Sequence, residues 1–300
     1  MRVINYALVP VLAAALVSCG GDGLGGPSGT LEAKGALAFA GSLNNTLPAM
    51  PDNSGRPSLG SIGGLPNGSV STSSLGAKAL GCETVTGNAT DADSDGIAVL
   101  RTVTYNCTDF VQTTDTYSIY GTVTSIDKKD NGGASSKGLA GGYSVNIDLQ
   151  SKHRNSTGTS LDYTTKGTFD ATSSGNSSTF VSQYKTHFTG TQEAYGQVFE
   201  INYKYQTDFN VVYTAVTAST GTVKIDGLIG IDGQFPEAGK LEVAKAVMTV
   251  RSNNLTYNSA CTTFFDQGDV EYVTGSGNVL ALRYNCNATV KFYLDGQLLN

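Results

Sequence analysis

Between residues 199 and 215 apolar and polar positions alternate almost without interruption. Phe199, Ile201, Tyr203, Tyr205, Phe209, Val211 and Tyr213 share one phase; Glu200, Asn202, Lys204, Gln206, Asp208 and Asn210 share the other. A period of two is that of an extended strand with one face in a core and one in water. At about 3.3 Å per residue such a strand would run to about 55 Å, a length that predicts a bend or a bulge. The same alternation predicts strands over Tyr117–Ile126, through Val145, Ile147 and Leu149, and through Leu161, Tyr163, Thr165, Gly167 and Phe169. It continues through Phe180, Tyr184 and Phe188, through Val223, Ile225, Ile229 and Ile231, and over 241–257, 270–274, 279–285 and 289–294. Between these runs lie turn residues, among them 127–137, Asn155-Ser156-Thr157-Gly158, 173–178 and Pro236-Glu237-Ala238-Gly239. Such spacing is that of consecutive hairpins, and no strand-helix-strand rhythm interrupts it.

The predicted fold is therefore all-β: an antiparallel meander forming a curved sheet, sandwich or barrel-like body. Composition agrees, with 15 Tyr, 11 Phe, 37 Gly and no Trp. Proline is absent from 67 to 235, as a continuous ladder requires, because proline cannot donate to it. A transmembrane barrel would show the same period. Here, however, the polar phase carries charges where a bilayer would need apolar side chains, and Gly-Gln-Leu-Leu-Asn at 296–300 holds no aromatic. The aromatic phase of 199–215, with Phe180, Tyr184 and Phe188, is expected to pack as core; the other use of such a face is an apolar cavity for a lipid tail or peptide.

The first residues break the pattern. Met1-Arg2 precedes an almost wholly apolar run from Val3 to Leu16, closed by Val17-Ser18-Cys19. The run is shorter than the roughly 20 residues a spanning helix needs, and its order is that of a secretory signal peptide. Leu16-Val17-Ser18-Cys19 resembles the lipobox of bacterial lipoproteins. That resemblance implies cleavage before Cys19, acylation of its sulfur and amine by palmitate-like chains, and two or three chains in all. A single chain holds a protein only marginally, whereas two anchor it stably. Gly20 stands where lipoproteins retained in the inner membrane usually carry Asp, so the resemblance also implies the outer membrane. The predicted organisation is a signal peptide at 1–18, a lipidated N-terminus and Gly/Ser/Pro-rich tether at 19–76, and a β-rich domain at 77–300. Within the tether, 20–30 reads as a flexible linker, 31–40 holds a short apolar patch, and 41–76 contains four prolines in a polar setting that cannot build a core.

Beyond Cys19 four cysteines remain, Cys82, Cys107, Cys261 and Cys286. An even number in an exported chain reads as disulfides. Three pairings are possible; equal spacing in sequence favours Cys82–Cys107 and Cys261–Cys286, each closing a hairpin. The two segments echo each other. An offset of 179 superposes Cys82, Thr84, Gly96, Tyr105, Asn106 and Cys107 on Cys261, Thr263, Gly275, Tyr284, Asn285 and Cys286. A pseudo-repeat within one domain and two related halves both fit that echo.

One motif carries chemistry. Asp91-Ala92-Asp93-Ser94-Asp95-Gly96-Ile97 matches the first half of an EF-hand calcium loop, D-x-D-x-D-G. Alternate spacing converges three carboxylates, and Gly96 permits the reversal. The position that would hold the bidentate Glu is Thr102, and the flanks are strands, so the motif resembles the calcium loop without its helices. The expected ligands for Ca²⁺ are Asp91, Asp93, Asp95 and the Ile97 carbonyl, with Glu83 and water as further donors. Against this stands an ordinary solvated acidic turn.

Catalytic motifs are not in evidence. His153 and His187 are expected at the surface, there is no G-x-S-x-G, H-E-x-x-H, C-x-x-C or P-loop, and the thiols are committed to bridges. The formal charge of −6 disfavours nucleic acid, and membrane attachment would rest on acyl chains. The expected function is that of a non-enzymatic, membrane-anchored cell-envelope lipoprotein that binds or scaffolds an envelope partner. The alternative is a lipid or lipoprotein carrier with an apolar cavity in a curled sheet.

Overall fold

The computed structural model describes residues 16–17, 30–31, 81–112, 115–133, 141–194, 196–237, 240–261, 264–286 and 288–299. Cys19, most of the leader and nearly all of the tether lie outside these residues. Leu16–Val17 and Thr30–Leu31 form a short antiparallel ladder.

All other described secondary structure is one antiparallel sheet of 13 strands in strict sequence order. The strands are β1 (Glu83–Asn88), β2 (Leu100–Gln112), β3 (Asp115–Asp127), β4 (Tyr143–Arg154), β5 (Ser160–Ser174), β6 (Ser177–Ala194) and β7 (Gln197–Ala215). They continue as β8 (Thr220–Glu237), β9 (Lys240–Asn258), β10 (Phe265–Val273), β11 (Val279–Asn285), β12 (Lys291–Leu294) and β13 (Gln297–Leu298). The meander predicted from alternation is thus the observed topology, with β1 and β13 as its edges among the described residues.

Period two fixes which side chains face inward. Val103 and Tyr105 of β2, Val145 and Ile147 of β4, Phe169 of β5, Tyr184 of β6, Phe209 of β7 and Leu282 of β11 all belong to one contiguous buried cluster. The outer face carries cross-strand charge pairs such as Lys166–Asp148 at 2.9 Å and Arg283–Asp269 at 2.8 Å. Exposed pairs of this kind contribute at most about 1 kcal/mol each. β7 pairs with both neighbours without a register shift, so the bulge expected from its length is not there. The shifts fall instead between Cys107 and Phe110, between Thr222 and Asp226, and within the β9–β10 ladder.

The buried face is built from aromatic residues opposite glycines. Tyr184 pairs with Gly167, Phe209 with Gly227, Tyr203 with Gly233 and Tyr257 with Gly221. A Cβ on Gly167 would sit 2.3 Å from the Tyr184 ring, and one on Gly227 would sit 2.8 Å from the Phe209 ring. The rings of Tyr184, Phe209 and Tyr257 therefore cover the backbone of the glycine opposite, which lets bulky side chains fit on the buried face of the sheet.

Burial among apolar neighbours pushes the phenols of Tyr184, Tyr213 and Tyr284 well above their ordinary value. A folded-state value raised above the unfolded one means stability is complete below about pH 10 and is lost as pH rises beyond it. An absorbance titration at 295 nm should therefore show a subset of tyrosines that ionise only as the sheet unfolds. Free titration of every tyrosine in the folded protein would contradict this burial.

Both predicted disulfides are present, Cys82–Cys107 and Cys261–Cys286, each with 5.0 Å between Cα atoms. Each ties neighbouring strands, β1 to β2 and the segment entering β10 to the end of β11. The echo between them does not extend to register. Tyr105 lies opposite Glu83, and the 179 offset would place Tyr284 opposite residue 262; it lies opposite Gly268. The loop at 274–278 is shorter than the one at 89–99, and before β10 the Cys261 amide donates to Asn258 O and the Phe264 amide to Cys261 O.

Candidate metal centre

The β1–β2 loop folds around its own carboxylates. Asp91 accepts the amides of Asp95 at 3.1 Å and Gly96 at 2.9 Å, and Asp95 accepts the amide of Ile97 at 2.7 Å. Ser94 and Gly96 adopt left-handed conformations (φ 58° and 82°) that make the reversal. One carboxylate oxygen from each of Asp91, Asp93 and Asp95 lies within 4.8 Å of the others, as the motif predicted.

A second group meets the first at Asp93. Asp127 ends β3 and Asp130 lies in the connection that follows. One oxygen from each of Asp93, Asp127 and Asp130 again lies within a 4.8 Å sphere of mutual distance. The two segments are stitched together, because Asp130 Oδ1 accepts the amides of Ala92 at 2.5 Å and Asp93 at 3.0 Å. Asp93 is 3% exposed and Asp127 is 5% exposed. The Oδ2 atoms of Asp93, Asp127 and Asp130 are buried and accept no hydrogen bond. Burial raises the Asp127 carboxyl above the usual carboxylate range, and the neighbouring Asp95, Asp93 and Asp130 raise it further against the Lys129 amide that it accepts.

Glu83 sits opposite Tyr105 at the far end of β1, about 16 Å along the strand from the loop, so it cannot join the cluster. Thr102 bonds Thr124 across the ladder at 3.1 Å. Ile97 is buried at the end of the loop, and its amide donates to Asp95. Asp127 and Asp130 were not singled out from sequence, yet a signal existed. In β3, Ile119, Val123 and Asp127 share the buried phase, so Asp127 is an acid on an apolar face.

At the opposite end of the same strands His153 overturns its surface expectation. It is 3% exposed, its Nε2 lies 2.9 Å from Asp115 Oδ2, and its ring stacks on Tyr117 at 4.7 Å. Tyr117 Oη donates to the same carboxylate at 3.3 Å, and burial together with Asp115 pushes that phenol up to about 12. His153 follows Val145, Ile147, Leu149 and Ser151 on the inward phase of β4, a continuation past the predicted end of that strand. His187 is half-buried on the outer face against Asn202 at 2.8 Å.

A groove of about 750 Å³ opens on the outer face beside the bulges of β8 and β9. Its walls are mixed, with Val212, Thr214, Lys224, Asn254 and Gln267. Aromatic residues of the buried face pack on one another, as in Phe188 on Tyr203 at 4.5 Å and Phe180 on Tyr213 at 5.6 Å. No protein-family model, curated protein or solved structure matches the chain.

Proposed function

We propose that this chain is a lipid-anchored protein of the bacterial cell envelope, held at the outer membrane through Cys19, whose β body serves as a non-enzymatic binding or scaffold module. The observation that carries this reading is the disposition of the cysteines. Four of the five are consumed in two bridges, and the fifth is Cys19 at the end of the leader. Two such bridges suit an oxidising compartment, and an unpaired cysteine after a leader suits acylation. Mutual packing of the aromatic face supports a solid scaffold over a carrier built around an acyl cavity. The pairing of His153 with Asp115 and Tyr117 reads as a core device that partners Nε2 of a buried ring and stacks its face.

Labelled palmitate fed to cells expressing the full chain should enter the protein, and the Cys19→Ala form should lose both the label and its membrane fractionation. A Cys19→Ala form that still sediments with membranes would sink this reading. Native mass spectrometry of the purified protein separates scaffold from carrier: a mass free of bound lipid beyond the anchor supports the scaffold, and a stoichiometric co-purifying lipid supports the carrier.

A further inference from the structure

The acidic cluster at the β1–β2 end of the sheet is the feature with no role in anchoring or in the core. We propose that it is a calcium site: Asp93, Asp127 and Asp130 supply buried carboxylate oxygens, Asp91 and Asp95 extend the shell from the hairpin loop, and water completes it. The ion would clamp the first disulfide hairpin to the end of β3.

Three observations converge on a cation. First, three carboxylate oxygens from two separate segments, the Oδ2 atoms of Asp93, Asp127 and Asp130, are buried with no donor. A buried polar atom without a partner costs about 1–3 kcal/mol, more when charged. Three at one place predict a ligand that satisfies them together. Second, among the described residues no lysine or arginine forms an ion pair with Asp91, Asp93, Asp127 or Asp130. The nearby Lys128 is committed to Asp170 at 2.6 Å. Like charges this close repel unless something positive lies between them. Third, the spacing permits an ion: the donor atoms of each trio lie within 4.8 Å of one another, no farther apart than opposite oxygens about 2.4 Å from a calcium ion would be.

The donor set selects the metal. Every candidate ligand is an oxygen, most of them carboxylate, so the site suits a hard cation and not zinc, which favours imidazole and thiolate. Six to eight oxygens at flexible distances are the habit of calcium. Magnesium demands a near-octahedral shell at about 2.0–2.1 Å and usually keeps several waters. The sequence motif supplies only half of an EF-hand loop, and Asp127 and Asp130 take the place of the missing bidentate Glu. Because these residues lie on two segments, binding orders one against the other, a structural use of calcium independent of the lipid anchor.

The test is calorimetric titration of CaCl₂ into the full-length, anchor-bearing protein in detergent after chelation with EGTA. Saturable binding is expected in the range of extracellular modules, about 10⁻⁴–10⁻³ M, with a melting midpoint that rises with calcium and falls on adding EGTA. Asp93→Asn and Asp127→Asn should each weaken binding at least about tenfold, because ligand charge count sets affinity. The same variants should melt higher than the unaltered protein in EGTA, since each removes a repelling buried charge; that opposite pair of shifts separates a ligand from a merely structural aspartate. Asp208→Asn, on the outer face of β7, should leave the calcium response unchanged. No saturable heat up to about 10 mM CaCl₂ together with a melt indifferent to EGTA would overturn the site. So would unchanged affinity in both variants. Equal affinity for MgCl₂ would overturn the assignment to calcium.

Discussion

Replacing Phe209 by alanine is expected to lower the stability of the β domain by about 3–5 kcal/mol, toward the upper end of that range. The ring is 1% exposed at the centre of β7. Across the ladder it faces Ser182 on β6 and Gly227 on β8. A Cβ on Gly227 would lie 2.8 Å from the Phe209 ring, so the ring already occupies the space above that glycine. Neither neighbour has a side chain large enough to collapse into the gap, and the cost of a large-to-small change grows with the cavity that remains. Equilibrium urea unfolding, followed by far-ultraviolet circular dichroism, measures the loss. Val181→Ala, 38% exposed on β6, is the matched control and should change stability by less than about 1 kcal/mol. A Phe209→Ala loss no larger than the control's would refute the packing of aromatic on glycine as the source of core stability.

The second large effect concerns the bridges, which should differ in consequence despite equal loops. Each closes a separation of 25 residues, for which chain entropy alone predicts about 3.5 kcal/mol. Cys261–Cys286 ties the entry to β10, whose Phe265 belongs to the buried cluster, to the end of β11, whose Tyr284 does too. The double change Cys261→Ala, Cys286→Ala should therefore lower global stability by about 3–4 kcal/mol, read as a fall in the urea midpoint. Cys82–Cys107 has Cys107 in the buried cluster, but the strand that it pins is β1, an edge strand exposed at every position after Glu83. An edge with so little buried surface opens on its own once untied. Cys82→Ala with Cys107→Ala should chiefly accelerate amide exchange over 83–88 and the acidic loop, while the central strands keep their protection. Uniform acceleration across the sheet in that variant would contradict a local role.

These predictions show how far alternation carries. β7 was readable because seven apolar side chains keep one phase from Phe199 to Tyr213, and a half-buried strand is the simplest structure with that period. The same logic, pressed further, would have found two residues that matter. His153 continues the inward phase of β4 beyond Leu149, and Asp127 closes the inward phase of β3. Both are polar groups on an apolar face: the histidine meets Asp115 and Tyr117, and the aspartate meets the Asp93 and Asp130 carboxylates, the group for which a cation is proposed. Reading the strand as ending at its last apolar residue hid both. The glycines opposite Tyr184, Phe209, Tyr203 and Tyr257 were hidden for another reason, since a cross-strand partner depends on register and no single strand encodes it.

From the chain alone came the all-β class, the order of hairpins, the pairing of the four bridging cysteines and the convergence of Asp91, Asp93 and Asp95. All four rest on local or evenly spaced signals, a two-residue period or a repeated separation, that survive without knowledge of neighbours. Tertiary structure decided the rest: the register in which the two bridged hairpins part company, the rings laid over glycine backbone, the burial of His153, and the arrival of Asp127 and Asp130 beside Asp93. Each joins residues set far apart in sequence, and only the lateral stacking of strands brings such residues within the few ångströms at which packing and charge act.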